Sequence, residues 1–168
     1  MNARPLLSLA TAAALTGPAT AGEPPLVNHQ PSACTVAQRP LSLCARISDD
    51  GQVARARVYF RPTGDKHYVF VEMSFDGINY CGTLPAPKRK KLKVIEYYVQ
   101  AIDDEYQTQR VSTYQIPVQD ETACAFPPVE TDAARAASIV VHGTHKKQKK
   151  LSGRFVSDGV KFVPLASR

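Results

Sequence analysis

Between Cys34 and Cys124, apolar and polar residues alternate along several short stretches. Residues 53–60 are the clearest case: Ala54, Ala56, Val58 and Phe60 point one way, Arg55, Arg57 and Tyr59 the other. A period of two with one apolar face marks a strand that covers a core on one side. Residues 68–73 repeat it with Val69, Val71 and Met73 as the inner face, and in residues 78–84 Tyr80, Gly82 and Leu84 share a face that excludes Cys81. In residues 94–102, Ile95, Tyr97, Val99 and Ala101 alternate with Glu96, Tyr98 and Gln100. Residues 41–47 add another strand. Residues 108–118 add a less regular one, interrupted by Pro117 as an edge strand tolerates. Turn chemistry separates these runs: Pro62-Thr63-Gly64-Asp65, the hairpin-type Asp76-Gly77, and Asp103-Asp104-Glu105. The spacing predicts an all-β, two-sheet antiparallel sandwich over residues 34–124, with a small closed barrel as its rival.

The flanks read differently. One basic residue, Arg4, precedes an apolar run over residues 5–16, then Gly17-Pro18 and the small-residue stretch Ala19-Thr20-Ala21. These are the three parts of a secretory signal peptide, residues 1–21, with cleavage expected after Ala21. The run is shorter than the roughly 20 apolar residues a membrane-crossing helix needs, and no later run is longer, so no transmembrane segment is expected. Residues 22–33 read as an extended, proline-bearing leader. Beyond Cys124, residues 125–168 read as a loosely ordered basic tail that docks locally. Within it, residues 131–137 can form a turn or two of helix and residues 138–142 a short strand.

All four cysteines, Cys34, Cys44, Cys81 and Cys124, lie in the exported part. An even count without C-x-x-C spacing suggests two disulfides, with three pairings open, in an oxidising compartment: periplasmic or secreted. The net charge is +6, and it is unevenly placed. Lys88, Arg89, Lys90, Lys91 and Lys93 form one basic run, and Lys146, Lys147, Lys149, Lys150 and Arg154 another. Outside them, acidic residues outnumber basic ones.

The succession VARARVYFR (residues 53–61), YVFVEM (68–73), DGINYCGTLP (76–85) and IEYYVQAID (95–103) resembles immunoglobulin-like or fibronectin-III-like modules of exported bacterial proteins. The resemblance covers roughly residues 45–118 and implies an immunoglobulin-like β-sandwich used for spacing or binding, with no catalytic residues. The chain has no tryptophan, so the Cys–Trp–Cys core of antibody domains is missing and the cysteines must be placed otherwise. Proximity along the strand order then favours Cys34 with Cys44 and Cys81 with Cys124.

Three features invite a functional reading, each with a plainer rival. The outward set Arg55, Arg57, Tyr59, Tyr68, Phe70, Glu72, Glu96 and Tyr98 would form an aromatic strip bordered by charges if its strands are neighbours. It could bind a peptide or a sugar face, although cross-strand pairs of these kinds also arise simply to stabilise a sheet. The two basic runs could gather an anionic envelope polymer, or serve only to solubilise and protect sheet edges. Neither interleaves aromatics, so no specific nucleic acid is expected. His142 and His145 begin a metal site but lack further ligands, and Asp103, Asp104 and Glu105 read as a solvated turn before a calcium site.

No G-x-S-x-G, H-E-x-x-H or phosphate-binding glycine loop is present. The expectation is therefore a non-enzymatic module without a cofactor, contacting a protein or an envelope polymer. The alternatives are an accessory protein anchored by its basic tail and a small envelope hydrolase with an unrecognised site.

Overall fold

A computed structural model of the chain describes residues 22–125, 138–143, 151 and 153–165. Among them the protein is an all-β sandwich. One sheet runs β1 (Leu26–Asn28), β3 (Leu41–Ser48), β7 (Tyr80–Leu84), β6 (Ser74–Phe75). The other runs β12 (Val160–Pro164), β11 (Ile139–Gly143), β5 (Val69–Glu72), β4 (Val53–Pro62), β8 (Val94–Asp103), β10 (Tyr114–Gln119), β2 (Thr35–Val36), with β9 (Thr108–Arg110) also on β8. The chain crosses between the sheets from β3 to β4, β5 to β6 and β7 to β8, and the sheets pack face to face, β3 and β7 on β4, β7 also on β5, and β1 on β8 and β9. Two pairings are parallel, β2 with β10 and β11 with β12.

The alternation read from the sequence becomes the core. Leu41, Leu43, Ala45 and Ile47 of β3 meet Val58 and Phe60 of β4, Val69 and Val71 of β5, and Ile95, Tyr97, Val99 and Ala101 of β8. Gly82 earns its place on β7 by proximity: a Cβ there would lie 3.1 Å from Met73 and 3.3 Å from both Val58 and Val71. The Asp76-Gly77 turn forms as expected, Asp76 Oδ1 accepting the amides of Ile78 (2.9 Å) and Asn79 (2.7 Å) while Gly77 takes φ 105°.

Several expectations need correction. Ala54 is exposed, because the register of β4 on β8 shifts between Val53 and Arg55 and turns its side chain out of phase. The cysteines pair as Cys34–Cys124 and Cys44–Cys81. Cys44 and Cys81 are register partners on adjacent strands β3 and β7. Cys34 precedes β2, which lies along the end of β10, and so meets Cys124 just beyond it. The stretch over residues 108–118 divides into β9 and β10, and β10 is not a bare edge, since β2 pairs with it at Val118 and Gln119. The leader supplies edge strand β1, and His29 next to it bridges to the core.

The described parts of the C-terminal region are built into the sandwich. His142 of β11 pairs with Phe70 of β5, and β12 extends the sheet beyond β11. Phe155 is fully buried, its ring edge-on to Phe60 with centroids 5.6 Å apart. Burying such a side chain is worth about 1.5–3 kcal/mol. The helix expected over residues 131–137 lies outside the described residues.

Candidate functional site

The outer face of the large sheet carries a row of rings that follows the strand register. His142 of β11 is opposite Phe70 of β5, Phe70 opposite Tyr59 of β4, and Tyr59 opposite Tyr98 of β8. Each neighbouring pair is in contact. Phe70 stacks on His142 (4.9 Å, 9°), Tyr59 is tilted against Phe70 (5.2 Å), and Tyr59 stacks on Tyr98 (4.8 Å, 8°). Tyr68 meets Tyr98 edge-on at 4.9 Å. The row exists because period-two alternation sends every second residue outward and antiparallel pairing aligns those residues across strands.

Three guanidinium groups lie over the rings. Arg57 is 4.1 Å from the Phe70 centroid, Arg61 4.3 Å from Tyr68 and Arg110 3.6 Å from Tyr98. Each such contact contributes about 0.5–1 kcal/mol at an exposed site. Two of the three are also neutralised. Arg57 pairs with its cross-strand neighbour Glu72 at 2.8 Å, and Arg61 with its neighbour Glu96 at 2.7 Å. Glu96 is nearly buried and also accepts a hydrogen bond from Gln115 Nε2 at 3.2 Å. Burial pulls the Arg57 pKa down, but its bonds to Glu72 and Tyr59 more than offset this and hold it above the ordinary value. Burial likewise raises the Tyr98 hydroxyl, with Arg110 opposing.

Arg110 differs from the other two. It is exposed, donates to Thr113 Oγ1 at 2.9 Å, and has no carboxylate partner among the described residues.

Of the residues expected in the strip, Arg57, Tyr59, Tyr68, Phe70, Glu72, Glu96 and Tyr98 are brought together. Phe70, although outward, is buried under Arg57 and His142. Arg55 stands exposed beyond the bulge, outside the ring contacts. Sequence reasoning misses Arg61, Arg110 and His142 as members. Arg61 continues the phase of Arg57 and Tyr59, a signal masked by the turn residues Pro62 and Gly64 that follow it. Arg110 comes from β9, which folds back on β8 after the Asp103-Asp104-Glu105 turn, a hairpin whose register the sequence leaves open. Nothing local points to His142, which arrives from β11.

A groove of about 740 Å³ borders the strip, lined by Glu72 and His142 on one side and by Phe75, Thr83 and the Cys44–Cys81 disulfide on the other.

The basic run Lys88, Arg89, Lys90, Lys91 forms a separate feature. It closes a turn in which the amides of Lys91 and Leu92 donate to the Lys88 carbonyl, with Leu92 buried. Lys88 N–H donates to the Arg154 carbonyl at 2.8 Å, so the C-terminal region braces the loop. Arg89 pairs with Asp120, and the run lines a pocket of about 420 Å³ with Gln38 and Val156. Lys146, Lys147, Lys149, Lys150 and His145 lie outside the described residues. The carboxylates of Asp103 and Asp104 accept backbone amides, from Gln107 at 2.6 Å and Gln52 at 3.3 Å, as turn-forming aspartates do. Among the described residues no group of three or more His, Cys, Asp or Glu side chains is arranged to hold a metal ion. No helix among them is long and apolar enough to cross a membrane.

No protein-family model and no curated protein matches the chain. Among solved structures, it is similar to an engineered protein (TM-score 0.43, 17% identity) over 59% of this chain and 21% of that one. It is also similar to a mutant of the SrpA adhesin from Streptococcus sanguinis (TM-score 0.42, 16% identity), over 67% of this chain and 66% of that one. The chain thus spans less than two thirds of either protein. Neither likeness is strong enough to carry a functional reading.

Proposed function

We propose that this chain is an exported, non-enzymatic binding module, of the immunoglobulin-like kind found in bacterial envelopes, whose contact surface is the aromatic–guanidinium strip. The observation that carries this reading is Arg110. Its guanidinium lies over Tyr98, 3.6 Å from the ring centroid, with no carboxylate of its own among the described residues, whereas Arg57 and Arg61 are each neutralised. A partner presenting a carboxylate or phosphate beside a flat apolar face would complete the row by pairing with Arg110 and covering Tyr98 and Tyr68. Guanidinium is suited to such oxyanions because it donates in a planar fork. The two disulfides support an oxidising compartment, periplasmic or extracellular. The partner is a protein or an envelope polymer.

The test is retention of envelope components on the immobilised mature protein at low and high salt. Arg110→Ala and Tyr98→Ala should each weaken retention about tenfold or more, as loss of a central interface anchor does. Unchanged retention by both variants overturns the reading.

A second reading rests on the braced pocket at Lys88–Lys91, whose cations would hold an anionic polymer electrostatically. In that case a Lys88→Ala, Lys90→Ala, Lys91→Ala variant loses retention, high salt abolishes it, and Arg110→Ala leaves it unaffected.

A further inference from the structure

Five carboxylates gather at one end of the sandwich. Asp49 and Asp50 come from the turn after β3, and Asp103, Asp104 and Glu105 from the end of β8 and the turn after it. The two turns are tied together: Asp104 N–H donates to the Gln52 carbonyl at 3.0 Å, and Asp104 Oδ1 accepts from Gln52 N–H at 3.3 Å. Among the described residues no lysine or arginine pairs with any of the five. Partial desolvation and the charges of Asp103, Asp50 and Asp104 raise the Asp49 pKa, against a bond from Gly51 N–H. Asp49 Oδ1 is buried with no hydrogen-bond partner.

Gly22 sits against this cluster. Its backbone nitrogen donates to Glu105 Oε2 at 2.7 Å, its carbonyl accepts from Gln107 Nε2, and the following amide, of Glu23, reaches Asp50 Oδ2 at 3.4 Å. The fit is close. A Cβ on residue 22 would lie 3.0 Å from Glu105 Oε2 and 3.4 Å from both carboxylate oxygens of Asp50. Quite separately, the small-residue stretch Ala19-Thr20-Ala21 marks the bond before this same glycine for cleavage.

We infer that export processing at Ala21–Gly22 creates an α-ammonium group that is held by Glu105 and Asp50, so that cleavage itself adds the missing cation to this acidic cluster. The inference rests on the export reading and is independent of the binding strip. A signal peptidase would hydrolyse the Ala21–Gly22 bond with one water, whose hydroxyl goes to the Ala21 carbonyl. The Gly22 nitrogen gains a hydrogen and, as an α-amine with an ordinary pKa of about 7.7–8.0, takes up a further proton at neutral pH. A neutral amide donor then becomes a charged group with three donors, in the place where a hydrogen bond to Glu105 already exists. Charge-assisted bonds of this kind are shorter and roughly twice as strong as neutral ones. The ammonium fastens the start of the mature chain to the β3–β4 and β8–β9 turns, four residues ahead of edge strand β1. Glycine is the one residue that brings its nitrogen this close to Glu105 without a Cβ pressing on the carboxylates of Glu105 and Asp50.

The experiment uses the protein recovered after export. Its intact mass should correspond to a chain beginning at Gly22, and a start at any other residue overturns the inference. The same protein, before and after selective acetylation of its α-amine, is then unfolded in urea. Acetylation should raise the unfolding equilibrium constant about two- to fivefold, the range of an ion pair at a partly exposed site. In Glu105→Gln the increment should shrink, which separates an ion pair with Glu105 from a general effect of the acetyl group. The α-amine, labelled by ¹³C reductive methylation, should titrate higher in the wild-type protein than in Glu105→Gln. Equal stability with and without acetylation, together with an amine titration indifferent to Glu105→Gln, overturns the inference. Retention of envelope components would be unaffected by either result.

Discussion

The two outer faces of the sandwich arise from the same alternation of residues but are held together differently. On the large sheet, rings and guanidinium groups run from strand to strand, with Arg57–Glu72 and Arg61–Glu96 bracing the row. On the small sheet, the outward residues of β3 are Ser42, Cys44, Arg46 and Ser48, and the cross-strand tie is the covalent bond Cys44–Cys81. One face is stabilised by many weak side-chain contacts, each worth a fraction of a kcal/mol, the other by one strong link. A face made of weak contacts can exchange some of them for contacts with a partner. A face stapled through a disulfide has little of that kind to offer. Under the proposed function, that contrast favours the large sheet, and Arg110 in particular, as the contact surface.

The sharpest way to break this comparison is to remove the staple. Cys44→Ala with Cys81→Ala should lower unfolding free energy by about 2–4 kcal/mol, read as a fall in the urea midpoint, while retention of the partner by the intact fraction persists. Loss of retention with unchanged stability would mean that the small sheet is the contact surface.

Next in size, Arg61→Ala leaves Glu96 nearly buried and without its cation. The expected cost is about 2–3 kcal/mol, and Arg61→Ala combined with Glu96→Gln should recover part of it in a double-mutant cycle. Additive effects would show that the pair does not brace the row.

A third test concerns the leader, which links the two sheets. His29 Nδ1–H donates to the Cys44 carbonyl at 2.8 Å, which leaves Nε2 to accept from the Tyr97 hydroxyl at 2.7 Å. This arrangement suits the neutral ring, and burial lowers the His29 pKa below 6.5, against the bond to Cys44. The unfolded chain therefore takes up the proton first. The stabilisation is full above the unfolded value and is lost as pH falls through it towards the folded one. The urea midpoint should drop as pH falls through about 6.5, the ordinary histidine value, and His29→Gln should flatten that drop.

Smallest in stability is Arg110→Ala, at about 0.5–1 kcal/mol, because its guanidinium contributes little beyond its contact with Tyr98. Its effect on retention should be far larger than its effect on the urea midpoint. If stability and retention fall in proportion, Arg110 is a sheet residue like its neighbours and the face has no uncommitted cation.

Much of the strip is legible in the amino-acid sequence. Tyr59, Tyr68, Phe70 and Tyr98 share a face because alternation within one strand is a local property, and the pattern shows it directly. Ala54 shows the limit of that reading, since a single bulge reverses the phase and nothing in the surrounding residues marks it. Arg110 lies on β9, which folds back on β8 as a hairpin, and what the sequence leaves open there is the register that sets it opposite Gln100 and over Tyr98. His142 is invisible for a different reason: its strand β11 pairs with β5, far away in the chain. The disulfide pairing misleads on the same account. Cys34 and Cys44 are near in sequence, yet one lies beside the end of β10 and the other on the opposite sheet.

The amino-acid sequence by itself determined the strand-rich character, the inner and outer faces of the main strands, the Asp76-Gly77 turn and the small-residue stretch before Gly22. These depend on neighbours within a few residues, where side-chain type dictates backbone preference and burial. Tertiary structure alone decided which distant strands lie side by side, and with that the disulfide partners, the burial of Phe155, the arrival of His142 on Phe70 and the meeting of Gly22 with Glu105. Strand pairing satisfies backbone hydrogen bonds that are the same for every residue, so the choice of partner is made by the packing of the whole core.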